Sequence, residues 1–534
     1  MNKFFVLYFF VSLLFFIILA NCSVEYNETY TNPVIPGGFP DPSICRVGDD
    51  YYTVHSSFEY FPGVPVFHSK DLVHWKIIGY CLTSESQLPL KNMRYSGGIY
   101  APTIRYHNGL FYMITTNVDG GGNFYVTAKH PAGPWSEPVW IDVHGMDPSL
   151  FFDDDGVIYY TRHEGGGDGY IAQRLLNLKE GKLEGELKKI WDGTGGIWAE
   201  GPHLYKINGK YYLMISEGGT SYGHMLTIAR SDSPWGPFES NPDNPILTHR
   251  HLEDNQFRAL GHGDLVETPA GWWIVFLGIR PKGGYYNHLG REMFLAPVTW
   301  NEEGWPVVNG GNPIEKTMTA PRLPKYKFKD EPERDNFDNC VPALCWNYLR
   351  NPYMENYSLT ERPGYLRLWG TAITMEDQDS PTFLGRRQTA MECRIAAKLD
   401  FNPKKEGEEA GLVIRGNEVN RAEIGITLKD GKRNVFFMNM VKGKLVEPVR
   451  YKEITAGEVV LSIEAKPLFY ELFYQVNGEP PVSMGKVETK YLTFEEVVGY
   501  LFTGVYIGMF STGNGEKSAT PADFDWFDFI VYEK

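Results

Sequence analysis

The sequence predicts an all-β chain: a five-bladed β-propeller followed by a β-sandwich. Three observations predict it. Five segments repeat one hairpin unit before the neighbourhood of Trp305. Beyond about residue 325 that unit stops and strands alternate without it. Aromatic residues make up 15% of the 534 residues, and aromatic side chains favour strands.

Residues 1–21 stand apart from the fold. Lys3 provides a basic start and Phe4 to Ala20 is apolar apart from Tyr8 and Ser12, the pattern of a secretory signal. Leu19-Ala20-Asn21-Cys22 resembles a bacterial lipoprotein box, so release into the periplasm and anchoring through a lipidated Cys22 are both open. The six cysteines show no metal-ligand spacing and are too few for a disulfide scaffold. Cys340 and Cys345 could bridge, but buried or incidental thiols are the expectation.

The propeller is assigned to residues 22–322. Its five units turn at Asp49-Asp50, Asn108-Gly109, Asp155-Gly156, Asn208-Gly209 and Ala270-Gly271. Aromatic-rich runs follow, such as Tyr51-Tyr52, Phe111-Tyr112 and Trp272-Trp273. Asn-Gly and Asp-Gly between alternating strands signal hairpins. A third strand and a Trp-bearing fourth are expected, the latter from Asp71-Leu72-Val73-His74-Trp75, Gly133-Pro134-Trp135 and Ser233-Pro234-Trp235. Four antiparallel strands repeated around a ring make a propeller.

Eight residues before each turn stand Asp41, Tyr100, Asp147, Glu200 and His262. These are equivalent places at the start of each innermost strand, so the five side chains should ring one mouth of the central channel. Three carboxyls crowded there would push their pKa values apart, as acid/base chemistry needs. A Ca²⁺ or Zn²⁺ site is the rival reading of two Asp, a Glu and a His, and solvated turn-flanking residues the plainest. Glycosidic bond hydrolysis fits the ring. One carboxylic acid protonates the leaving oxygen, a second carboxylate activates water or attacks, and a third tunes the acid. The formal charge of −15, without a basic stripe, excludes nucleic acid as the expected partner and suits an uncharged sugar.

These residues resemble glycoside hydrolase family 43, the propeller β-xylosidases and α-L-arabinofuranosidases, over essentially the whole chain beyond the signal. The resemblance is carried by Asn32-Pro33-Val34 through Phe39-Pro40-Asp41-Pro42-Ser43, by Met146-Asp147-Pro148-Ser149, by Trp198-Ala199-Glu200-Gly201-Pro202, by Gly261-His262-Gly263-Asp264 and by Gly290-Arg291-Glu292. It implies that Asp41 is the general base, Glu200 the general acid and Asp147 the residue that orients and tunes the acid, with inversion at the anomeric carbon. It further implies a ring-stacking role for Phe58, sugar contacts from Arg291, and a channel position for His262. Tyr100 departs from the Trp common in family xylosidases and is similar to a branch richer in arabinofuranosidases.

Gly310-Gly311-Asn312-Pro313 and Ala320-Pro321-Arg322-Leu323-Pro324 read as a linker. Residues 323–534 then alternate as sandwich strands, such as Val459 to Ile463 and Phe469 to Phe473, with turns at Asp430-Gly431 and Asn477-Gly478. This half resembles the concanavalin-like (jelly-roll) domain of family β-xylosidases. The resemblance implies that Phe502-Thr503-Gly504 is a loop closing the propeller mouth, which would make the enzyme exo-acting. It also implies a structural Ca²⁺, for which Asp335 and Asp525 are the candidates. No cofactor is expected for catalysis.

The sequence therefore leads to an exo-acting inverting hydrolase releasing terminal α-L-arabinofuranosyl residues from hemicellulose oligosaccharides. An exo β-1,4-xylosidase or a bifunctional enzyme is the alternative. A non-catalytic sugar-binding propeller and a metal-dependent phosphoesterase are the readings from other classes. Oligomeric state is not legible.

Overall fold

The computed structural model describes residues 25–497 and 501–532. The signal at 1–21 and Cys22 lie outside the described residues. Short 3₁₀ turns are the only helical elements among those described; everything else that is regular is strand.

Five four-stranded antiparallel sheets form the blades. Blade 1 is Ser43–Val47, Asp50–Val54, Gly63–Ser69 and Lys76–Leu82. Blade 2 is Gly98–His107, Leu110–Val118, Gly122–Ala128 and Val139–Asp142. Blade 3 is Met146–Phe152, Ile158–Glu164, Tyr170–Asn177 and Lys182–Trp191. Blade 4 is Glu200–Ile207, Lys210–Glu217, Met225–Ser231 and Glu239–Ser240, with Leu247–Thr248 added beside its third strand. Blade 5 is Arg258–Thr268, Gly271–Ile279, Glu292–Trp300 and Pro306–Val308. The Asn-Gly turns behave as their chemistry requires. Asn108 and Gly109 sit at φ 49° and 80°, and Asn208 and Gly209 at φ 51° and 80°, the paired left-handed conformation of a two-residue hairpin loop.

The tryptophans differ from expectation. Trp75, Trp135 and Trp235 lie in the turns that enter the fourth strand, not on it. Pro134 and Pro234 have no N–H for a ladder, which keeps those segments out of the sheet. Trp135 is buried in the turn and donates from Nε1 to the Pro131 carbonyl at 3.2 Å.

Among the described residues no blade borrows a strand from a neighbour, and other contacts close the ring. Thr29–Thr31 pairs antiparallel with Thr317–Thr319, and Ile35 bridges Met293 of blade 5. The Asn32 side chain donates to the Leu295 carbonyl and accepts from the Leu295 N–H, each at 3.0 Å, imitating a ladder partner. On the other side, the Asp264 carboxylate of blade 5 accepts from Ser43 Oγ at 2.7 Å and the Ile44 N–H at 3.0 Å in blade 1.

The second half is a sandwich of two antiparallel sheets, one of eight strands and one of nine. The stretch 325–333 before it carries no strand, and Arg334–Asp335 is its first. Val459–Ala465 and Phe469–Val476 form as the alternation predicts, and their inward residues Leu461, Ile463, Tyr470 and Leu472 join the sandwich core.

One strand of the nine-stranded sheet belongs to the propeller. Tyr60–Phe61, from the excursion inside blade 1, pairs with Tyr348 and Leu349 of the sandwich strand Asn347–Leu349. Tyr60 stacks on Tyr506 with ring centres 3.6 Å apart, and both rings are buried. Fully burying such a side chain is worth about 1.5–3 kcal/mol, so the two halves share core rather than merely touch. The loop around Phe502 is fitted just as closely. Gly504 sits against Gly38 and Gly290, and a Cβ on Gly504 would lie 2.1 Å from the Leu289 carbonyl. Only glycine allows that approach.

Candidate active site

The ring at the channel mouth is built by one backbone device. In blades 2 to 5 the innermost strand carries a register shift: Tyr100/Thr103, Met146/Ser149, Glu200/His203 and Gly261/Asp264. A bulge re-aims the side chain at its start. The backbone turns left-handed there too, with φ of 55° at Asp41, 52° at Asp147 and 44° at His262. Non-glycine residues rarely adopt that region, and its recurrence at one repeat position indicates a functional constraint. In blade 4 the left-handed residue is Gly201, one later. A Cβ there would lie 2.9 Å from the His262 ring, so glycine lets the imidazole pack against the backbone beside Glu200.

Asp147, Glu200 and His262 each offer a ligand-type atom within 4.8 Å of the others. Asp41 joins them with Oδ1 3.9 Å from His262 Nδ1. Asp41, Asp147 and His262 are nearly fully buried, and Glu200 keeps a partly open side chain.

Charge divides these carboxyls. Burial pushes Asp41 up, but Arg291, His262 and a hydrogen bond from Ser56 outweigh it, and its carboxyl is held below the usual range. Arg291 donates to Asp41 Oδ1 at 2.9 Å and Ser56 Oγ to Oδ2 at 2.5 Å. Glu200 moves the other way. Burial, then the neighbouring Asp147 and Asp41, raise it well above the ordinary range, with Arg291 opposing weakly. Asp147 is raised by burial and by Asp41, against His262 and His163. The surroundings thus favour the ionised form of Asp41 and the protonated form of Glu200, the division an acid/base pair requires.

The aromatic residues form one wall. Phe58, Tyr100 and Phe502 make a triangle with ring centres 5.6, 6.0 and 5.8 Å apart. The guanidinium of Arg291 lies 5.8 Å from the Phe58 ring centre and 5.4 Å from that of Phe502. A flat apolar face beside a cation and carboxylates suits a sugar, which offers a C–H face and a hydroxyl edge. A cavity of about 440 Å³, including its open mouth, adjoins this wall through Arg291 and Phe502 and is otherwise lined by residues such as Thr220, Tyr222, Asn287 and Phe494. None of the three carboxyls lines it, so the chemistry of the ring, not cavity size, marks the site.

Several contributors had no clear signature in the sequence. Ser56 and Thr220 are single hydroxyls; the latter accepts from Arg291 at 2.9 Å. His224 is buried and lowered to about 3 by that burial, then by His262. Its ring packs so closely on Gly261 that a Cβ there would lie 2.4 Å from it. It comes from blade 4's second hairpin, outside the repeat position that located the ring.

The cation candidates in the sandwich are each held by hydrogen-bond donors or a cation. Both Asp335 oxygens are engaged, by the Phe337 N–H at 2.9 Å and Trp346 Nε1 at 2.8 Å. Asp525 pairs with Lys398 at 3.0 Å. Carboxylates occupied by donors and by an ammonium group do not fit a Ca²⁺ shell, which takes six to eight oxygens. At the mouth, Asp147, Glu200 and His262 could supply three ligands. Cys45, Cys81, Cys340 and Cys345 are free thiols, so Cys340 and Cys345 do not bridge.

The family model for glycosyl hydrolases family 43 matches residues 30–306, and that for the β-xylosidase C-terminal concanavalin A-like domain matches 334–530. A protein named as a non-reducing-end α-L-arabinofuranosidase of Bacteroides ovatus is 47% identical over 516 residues, covering 96% of each chain. A xylosidase/arabinosidase of Butyrivibrio fibrisolvens is 42% identical, covering 93% of this chain and 98% of its own. The solved structure titled Bacteroides ovatus xyloglucan PUL GH43B superposes with a TM-score of 0.91 at 48% identity, covering 94% of this chain and all of that one.

Proposed function

The chain belongs to glycosyl hydrolases family 43, and from that premise we propose that it is an exo-acting inverting glycosidase releasing terminal α-L-arabinofuranosyl residues from hemicellulose oligosaccharides. The observation that carries the chemistry is the convergence of Asp41, Asp147 and Glu200 with His262 at one channel mouth, where the surroundings pull Asp41 downward and push Glu200 upward. Glu200 protonates the glycosidic oxygen as the bond to the anomeric carbon breaks. Asp41 takes a proton from the water that attacks the opposite face. Asp147 keeps Glu200 protonated until the leaving oxygen claims the proton. Arg291 holds Asp41 ionised and offers N–H donors to sugar hydroxyls. The Phe502 loop walls the pocket, which favours one terminal sugar over an internal segment.

The choice of arabinofuranose rests on likeness to the Bacteroides ovatus arabinofuranosidase over nearly the full length of both chains, and on Tyr100 in the wall. A β-D-xylopyranosyl end presents a similar hydroxyl pattern. The likeness to a protein named for both activities favours a bifunctional enzyme as second reading. A non-catalytic sugar-binding propeller does not call for the division between Asp41 and Glu200. Export to the periplasm, with or without a lipid on Cys22, completes the proposal. It is supported by the apolar run Phe4 to Ala20 and checked by the N-terminus of the native protein and by labelled fatty acid. The deciding experiment compares kcat/KM on 4-nitrophenyl α-L-arabinofuranoside and β-D-xylopyranoside. A clear arabinofuranoside preference is expected; a strong xylopyranoside preference reverses the assignment, and turnover of neither rejects it.

A further inference from the structure

Three rings form the pocket wall, and they come from three distant segments: the blade 1 excursion, the first strand of blade 2 and a sandwich loop. One buried residue outside the wall bonds to all three neighbourhoods. Ser96 lies at the end of the connection between blades 1 and 2, fully buried and left-handed at φ 54°. Its N–H donates to Glu59 Oε2 at 2.9 Å, and Glu59 directly follows Phe58. Its carbonyl accepts from the Tyr100 hydroxyl at 2.7 Å. Its Oγ accepts from the Phe502 N–H at 2.9 Å, across 406 residues of chain. Phe58 and Ile99 exchange backbone hydrogen bonds at 3.0 and 3.2 Å, which fixes Phe58 beside Tyr100 independently of Ser96. The Phe502 loop is therefore the side of the triangle that relies on the serine side chain.

Glu59 carries the connection into the sandwich. Its Oε1 lies 3.5 Å from Arg415, and its carbonyl accepts from the Arg350 N–H at 2.8 Å. Arg415 and Arg350 both donate to Glu418 Oε1, at 2.8 and 2.5 Å. Two carboxyls and two guanidiniums meet here, all buried, and burial outweighs Arg415 in raising Glu59 above the usual carboxylate range. Such a set is rigid, because moving one member leaves another charge unpaired in low dielectric.

We propose that Ser96 is a positioning residue of the sugar pocket: its Oγ sets Phe502 against Phe58 and Tyr100, so that the sandwich fixes the pocket's width through a serine of the propeller. Ser96 touches no substrate and acts through Phe502. The inference rests on the pentosidase reading for its kinetic consequence but not for its structural one.

Ser96→Gly is the test, because glycine keeps the left-handed backbone, the N–H and the carbonyl while deleting the CH2–OH group that carries Oγ. A neutral hydrogen bond of this kind corresponds to about a 3–10-fold effect. KM on the preferred aryl pentoside should rise by about that factor, with kcat changed much less. In a Phe502→Ala background the same substitution should add almost nothing, since its effect passes through that ring. Amide hydrogen exchange reads the coupling without substrate: the Phe502 amide should exchange faster in Ser96→Gly, while the core strand Glu409–Asn417 stays as protected as in the parent. Unchanged Phe502 exchange, or equal KM effects with and without the Phe502 ring, overturns the proposal. A parent enzyme that turns over no pentoside rejects the functional reading instead, and the exchange result still decides the coupling.

Discussion

Replacing Asp147 by Asn tests the electrostatics of the pocket with the least disturbance. Asn is isosteric, and it tolerates the left-handed backbone that Asp147 adopts at φ 52°. What changes is charge. Asp147 and Glu200 place carboxyl oxygens within 4.8 Å of each other. Keeping both ionised at that separation costs about 3.5 kcal/mol at an effective dielectric of about 20. That repulsion, after burial, is the largest cause holding the Glu200 proton in place. Glu200 works protonated, so activity is lost as pH rises through its pKa, and anything that lowers that pKa moves the alkaline limb of the rate profile toward acid. Asp147→Asn should therefore shift the alkaline limb of kcat/KM to lower pH. At pH 7 it should cost a substantial part of the roughly 10²–10⁴-fold that general acid catalysis supplies. The assay is a pH series on an oligosaccharide substrate, with circular dichroism to show that the fold is intact. An alkaline limb that stays in place, or moves upward, refutes the reasoning.

Arg291→Ala removes the largest counter-charge of Asp41. Asp41 works ionised, so its pKa should rise and the acid limb of the same profile should move to higher pH; an unmoved acid limb contradicts its role as base. Arg415→Met leaves Glu59 and Glu418 short of a buried partner and should destabilise by about 3–5 kcal/mol, seen in chemical denaturation, whereas a loss below about 1 kcal/mol would show that the charge set is not holding the halves together. Proton NMR of fresh product should show the anomer opposite to that of the substrate, since the mechanism calls for roughly 6.5–9.5 Å between base and acid with a water in between; retention would make Asp41 a nucleophile.

The five hairpins were legible because their turns carry chemistry. Asn108-Gly109 and Asn208-Gly209 adopt the conformation that the residue pair encodes. Counting back from the turns located Asp41, Asp147, Glu200 and His262 because a propeller repeats position as well as strand, and the structure brings all four together. Long-range partners were not legible. Ser56, Thr220, His224 and Ser96 are ordinary residues in sequence; Ser56 meets Asp41 across the first hairpin of blade 1, and the roles of the others arise only where blades meet or the sandwich docks. The Tyr60–Phe61 strand was missed because two residues show no periodicity, and their partner lies almost 290 residues away. Asp335 and Asp525 drew notice as acids in acidic stretches, yet local donors and Lys398 occupy them.

The central claim is that Glu200 gives a proton to the leaving group and Asp41 activates water, and varying the leaving group separates the two most directly. A sugar alcohol leaves poorly without a proton, whereas dinitrophenolate leaves unaided. Glu200→Ala should therefore lose most of its activity on oligosaccharides, by about 10²–10⁴-fold, and far less on a dinitrophenyl pentoside. Asp41→Ala should lose both alike, because water needs activation whatever departs. Equal loss on every leaving group for Glu200→Ala, with Asp41→Ala sparing the activated substrate, would contradict the account.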